Sequence, residues 1–151
     1  MQVEYNGVKG NILTVPVVDA VPGIFSMNQS STGQGAILNW PDYSVNGASN
    51  RVAAGGVIMV YATGEGKVDI ALDGQLVPLA GPYPKPLLGP WTATVAGKPA
   101  TVSYYGSAPG SIAGLFQMNV QVPADLTAGI YDLVTQAGAF ISTAGLTVAV
   151  K

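Results

Sequence analysis

The chain contains no cysteine and no histidine. Those two absences remove Ser-His-Asp and Cys-His nucleophilic arrangements, disulfide frameworks and the usual zinc ligand sets. Charge is also scarce, at 9% of 151 residues against about a quarter in an ordinary domain. The six basic residues, Lys9, Arg51, Lys67, Lys85, Lys98 and Lys151, are scattered and the net charge is −2. Such a distribution gives no electrostatic footprint for nucleic acid and no polybasic face for anionic lipid. No apolar run approaches the length of a membrane span, and the opening Met1-Gln-Val-Glu-Tyr5 lacks the layout of a signal peptide. No membrane insertion is expected.

Apolar residues make up 48% of the chain, alongside 20 glycines and 11 prolines. Disorder requires low hydrophobicity, so this composition describes a folded β protein with many tight turns. Its surface is covered by Ser, Thr, Asn, Gln and Ala in place of charge, which favours a secreted or cell-surface location.

Helical periodicity is almost absent, and period-2 alternation takes its place. Phe116, Met118, Val120 and Val122 alternate with Gln117, Asn119 and Gln121, and Leu146, Val148 and Val150 alternate with Thr147 and Ala149. The run Val57 to Ala62 is apolar on both faces and suits a central strand. Further strands are expected near 2–6, 11–18, 67–72, 91–96, 99–105 and 130–136. They are separated by Asn6-Gly7, Asp73-Gly74, Ala96-Gly97 and Ala137-Gly138. Short strands at near-regular spacing predict an all-β fold, an Ig-like antiparallel β-sandwich with long ordered loops.

The chain reads as one module over 1–151. Residues 1–18 form an N-terminal hairpin whose Leu13-Thr-Val-Pro-Val17 echoes the closing Leu146-Thr-Val-Ala-Val150, as if it ended a preceding similar unit. Residues 19–66 are a long loop plus the central strand. Residues 67–90 are a hairpin and a crossover made extended by Pro82, Pro84 and Pro86. Residues 91–151 are the Ig-like unit. The amides of Gln117, Asn119 and Gln121 are expected to satisfy backbone groups of the 19–66 segment lying over them.

Several stretches, taken in order, carry a resemblance. They are Ala20-Val-Pro-Gly-Ile-Phe25, Gly33-Gln-Gly-Ala-Ile-Leu-Asn39, Ala62-Thr-Gly-Glu-Gly66 and Asp73-Gly-Gln75, then Pro84-Lys-Pro86 and Gly106-Ser-Ala-Pro-Gly110. Gly114-Leu-Phe-Gln-Met-Asn-Val-Gln-Val-Pro123 and Gly145-Leu-Thr-Val-Ala-Val150 complete the set. Together they resemble the Solibacter-type C-terminal domain found at the ends of many large secreted proteins of soil acidobacteria. The resemblance covers nearly the whole chain and implies an extracellular β-sandwich module of a longer polypeptide, with no assigned activity and no site residues to carry over. The chain departs from that pattern at Trp40-Pro-Asp-Tyr43 and at Trp91.

Three functional readings follow. The first is a non-catalytic accessory module with a structural or attachment role and no cofactor. The second is a carbohydrate-binding module that recognises polysaccharide or cell-surface glycan through Trp40, Asp42, Tyr43, Tyr83 and Trp91. A rigid aromatic face stacks on a pyranose while nearby carboxylates and amides meet its hydroxyls. The plain structural alternative is that both tryptophans pin the long loop and the crossover onto the sandwich. The third and most distant is a carboxylate-based glycosidase, or a weak Ca²⁺ site, at Glu65, Asp69 and Asp73. A solvated hairpin rim explains the same three residues.

Overall fold

The computed structural model describes residues 1–70, 72 and 74–151. Among them there is no helix, and the fold is all-β. The chain opens on a two-stranded hairpin, β1 (Glu4–Tyr5) and β2 (Val8–Lys9). Four short strands follow: β3 (Gly23–Ile24), β4 (Gly33–Gln34), β5 (Ile37–Asn39) and β6 (Ser44–Val45). The longer strands come next, with β7 at Val57–Thr63, β8 at Trp91–Val95, β9 at Lys98–Ser107 and β10 at Phe116–Gln121. The last three are β11 (Gly129–Ala137), β12 (Phe140–Ile141) and β13 (Leu146–Val150).

Where two antiparallel layers were expected, the strands after the hairpin join one curled mixed sheet, a half-barrel. Its order is β4-β13-β11-β8-β9-β10-β7-β5-β6, with β12 on β11 and β3 on β7. The reason is β9. Its first residues, Lys98 to Ala100, pair with β8, and Thr101 to Ser107 pair with β10, so one strand carries the sheet round the corner. A register shift opposite Asn119 and Val120 adds local twist there. The sheet curls far enough that Trp91 of β8 lies against Phe116 of β10, ring centroids 4.5 Å apart, although β9 separates their strands.

The alternating positions fill the hollow of the curl. Ile58, Val60 and Ala62, Phe116, Met118 and Val120, and Leu146, Val148 and Val150 are all buried in one cluster with Trp91, Val95 and Leu133. Tyr105 packs against this core while its neighbour Tyr104 stands on the other face, edge-on to Tyr83 at 5.9 Å.

Residues 19–66 are more than a loop, since β3 to β7 all lie within them. The span 33–39 ties the ends of the sheet together. β4 pairs in parallel with β13, and two residues later β5 pairs antiparallel with β7. Near residue 20 the chain crosses over Gly64 and Gly66, both at positive φ. A Cβ on either would fall within 2 Å of the Val21 or Asp19 carbonyl oxygen, so only glycine admits the crossing.

Other expectations meet different outcomes. Residues 11–18 form no strand and are exposed, and the described residues of 67–72 contribute only an isolated bridge between Val68 and Pro86. Of the three amides on β10, Gln121 donates to the Gly55 carbonyl at 3.1 Å, as expected of a residue satisfying the covering segment. Gln117 instead donates to the Asn119 side chain at 2.8 Å.

Candidate functional site

The turn between β5 and β6 carries the exposed aromatics. Asn39 pairs with Ser44, leaving Trp40-Pro-Asp-Tyr43 as a four-residue loop. Pro41 presets one turn position, and the Asp42 carboxylate accepts the Ser44 N–H at 3.2 Å and the Ser44 hydroxyl at 2.9 Å. Those two bonds, backbone first, hold the Asp42 carboxyl below the usual carboxylate range, so it stays ionised. Tyr43 closes the turn in the left-handed region at φ 55°. The Trp40 N–H donates to the Val57 carbonyl at 2.9 Å, which fixes the start of the loop to β7.

Trp40 and Tyr43 remain 49% and 54% exposed, their ring centroids 5.2 Å apart in an edge-to-face contact at 78°. That geometry occupies at most one face of one ring, so aromatic surface stays open to solvent.

A buried amide network supports this turn from beneath. Asn46, 1% exposed, donates to the Asn39 side chain at 2.8 Å and to the Ala149 carbonyl at 2.9 Å. Its side-chain oxygen accepts the Ala149 N–H at 2.9 Å and the Gln34 amide at 3.1 Å. The carboxamide thus pairs with β13 as a peptide group would, and all of its donor and acceptor capacity is used. Asn39 in turn donates to the Asn50 carbonyl at 3.2 Å, and the Asn50 amide donates to Ser44 and to the Val45 carbonyl, each at 2.8 Å.

Beside the loop lies a cleft of about 270 Å³ whose walls include Trp40, Asp42, Asn50, Arg51 and Lys151. Backbone bonds bring the two cations together. Val52 bridges Val150 in parallel, and Lys151 donates its N–H to the Val52 carbonyl at 2.8 Å.

The residues singled out in the sequence therefore separate. Trp40, Asp42 and Tyr43 form one group. Tyr83 belongs to the crossover: its hydroxyl donates to the Leu79 carbonyl at 2.9 Å and its ring meets Tyr104. Trp91, 2% exposed, lies in the core with its indole N–H on the Leu88 carbonyl at 3.0 Å, and presents no face to a ligand. Arg51, Lys151, Asn46 and Asn50 had not been singled out. Arg51 and Lys151 lie too far apart in sequence to suggest one site, and an asparagine pairing with a strand 103 residues away leaves no local signal.

The acidic trio does not act as a unit. Glu65 is buried, and burial pushes its carboxyl above the usual range. Asp69 is exposed and accepts the Lys85 N–H at 2.8 Å, which holds the crossover in place. Asp73 lies outside the described residues. Among the described residues, no group of three or more carboxylates is placed to hold a metal ion.

Compared with known proteins, the chain matches no family model, no curated protein and no solved structure.

Proposed function

We propose that this chain is a non-catalytic, extracellular accessory module of a larger secreted polypeptide, and that it attaches that polypeptide to polysaccharide or cell-surface glycan. The single observation that carries the reading is the Trp40-Pro-Asp-Tyr43 turn. It holds two half-exposed aromatic rings rigidly beside an ionised carboxylate and a cleft. Large aromatic surface left exposed is unfavourable unless something covers it, and a pyranose face is the right size and chemistry. Fixing the loop through Asn39, Asn46 and Asn50 lowers the entropy lost on binding.

The resemblance to the Solibacter-type domain supports the extracellular setting and the place within a longer chain. The finer fold reading, an Ig-like sandwich, is part of the same proposal. Its two layers would be the arms of the curled sheet on either side of β9.

Affinity electrophoresis against a panel of soluble plant and microbial polysaccharides tests the reading, with Trp40→Ala and Tyr43→Ala as controls. The expected result is retardation by at least one glycan, lost in Trp40→Ala while that variant melts like the parent. No retardation by any glycan would leave a plain spacer and overturn the binding role.

A further inference from the structure

The cleft beside Trp40 is distinguished by its charge. In a chain with six basic side chains, two of them, Arg51 and Lys151, line the same opening. They arrive from different segments, held together by the pairing of residues 52–54 with 150–151. The one ion pair among the described residues joins Lys98 to Asp125, so neither Arg51 nor Lys151 is neutralised by an acid within salt-bridge distance there. The carboxylate that shares the cleft, Asp42, accepts two hydrogen bonds from Ser44 and attracts Lys151 only from beyond salt-bridge distance.

Arg51 is also oriented. Its Nε donates to the Ala48 carbonyl at 3.0 Å, which fixes the guanidinium plane and leaves the two terminal nitrogens without a protein acceptor among the described residues. A planar pair of N–H₂ groups is the donor set that a carboxylate accepts in bidentate fashion. Lys151 supplies a second charge in the lining of the same cleft. Adjacent to both, Trp40 offers a ring face.

Resting on the glycan-binding reading above, we infer that the ligand is an acidic polysaccharide rich in uronic acid. One sugar ring packs on Trp40, and a uronate carboxylate is held by the Arg51 fork with Lys151 beside it. A neutral glycan would fill the stacking position and leave both cations unpaired.

Calorimetric titration of the intact chain separates the possibilities, using oligogalacturonate, the matching neutral galactan oligomer and a sulfated, uronate-free galactan oligomer. Oligogalacturonate should bind at least about tenfold more tightly than the neutral oligomer, and Arg51→Gln should remove about that factor. Arg51→Lys, which keeps the charge and loses the fork, should recover only part of it. Lys151→Gln, which breaks no side-chain bond among the described residues, should weaken binding in the same direction and repeats the test if Arg51→Gln lowers the melting temperature. Equal binding of neutral and uronate oligomers, unchanged in both Arg51→Gln and Lys151→Gln, would overturn this inference and leave the glycan-binding function standing. Tighter binding of the sulfated oligomer would overturn the carboxylate assignment. Binding of none of the three oligomers, nor of any polysaccharide in the electrophoretic panel, would overturn both.

Discussion

Glu65 is a buried ionisable side chain with no cation within salt-bridge distance among the described residues. It sits between Gly64 and Gly66 at the end of β7, where the chain near residue 20 crosses close over the backbone. Removal from water penalises its charged form, so its folded pKa lies above the ordinary 4.5, and the hydrogen bond from its own backbone N–H offsets this only in part. A carboxyl whose folded pKa is raised binds its proton more tightly in the folded state than in the unfolded one. The stability it contributes is therefore complete below the unfolded pKa and is lost as pH rises through the folded value. Asp42 and Asp125 have lowered values and act in the opposite sense, at pH values below 3.8. Glu65→Gln should therefore melt like the parent near about pH 4 and progressively higher than the parent as pH is raised toward about 7. Calorimetric melts of the pair across that range decide it. A difference that stays flat, or that narrows as pH rises, would show that Glu65 is solvated in the folded protein.

Among the elements, the β5–β6 hairpin pairs with β7 through its backbone and is tied to β13 by the Asn46 side chain. Asn46 gives the buried edge of β13 an acceptor and a donor, and at the same time holds Asn39 under the Trp40 turn. Asn46→Ala leaves the Ala149 N–H and the Asn39 oxygen without partners, while the Ala149 carbonyl keeps the Val52 N–H at 3.1 Å. Each orphaned buried group costs about 1–3 kcal/mol, so a loss of roughly 3 kcal/mol is expected, or about 6–12 °C in a domain of this size. Differential scanning calorimetry measures the loss, and amide exchange at Trp40 should accelerate in the same variant. A loss below about 1 kcal/mol would mean that water or a shifted strand replaces the amide. This hairpin also marks the limit of what the sequence made legible. β10 and β13 were readable because each runs long enough for one face to differ from the other, and β7 because its apolar run covers both faces. β3, β4 and β6 have two residues each and β5 three, too few to display a period, so their place in the sheet could not be seen. Trp91 had a signal that pointed inward. Trp91, Ala93 and Val95 alternate on one face of β8, and that periodicity outweighs the position of Trp91 beside a proline-rich crossover. For the candidate site, residue type alone singled out Trp40, Asp42 and Tyr43, whereas the cations opposite them depend on a parallel bridge between residues 52 and 150.

At the level of the whole molecule, residues 1–18 stand apart from everything described above. Their alternation of Leu13, Val15 and Val17 matches that of β13, yet all three are exposed, as are Val3, Tyr5, Val8 and Ile12. Periodicity records which face a strand could bury and says nothing about whether a partner is present. Among the described residues, their hydrogen bonds close within the segment itself: Gly10 to Val3, Leu13 to Met1, and the Gln2 amide to Gly10. The first core residue in the chain is Ala20. A segment that buries nothing against the sheet contributes nothing to the sheet's stability, and an exposed, apolar, strand-like segment is a template for unwanted pairing. Deleting residues 1–18 should therefore leave the melting temperature within about 1 °C of the parent and make the protein less prone to associate at high concentration. Melting and sedimentation velocity on the two chains, side by side, test both halves of that statement. A fall of more than about 4 °C would show that the hairpin packs on the half-barrel and belongs to its core. An unchanged melt with reduced association would make residues 19–151 the folding unit, with the hairpin an appendage that adds nothing to the sheet.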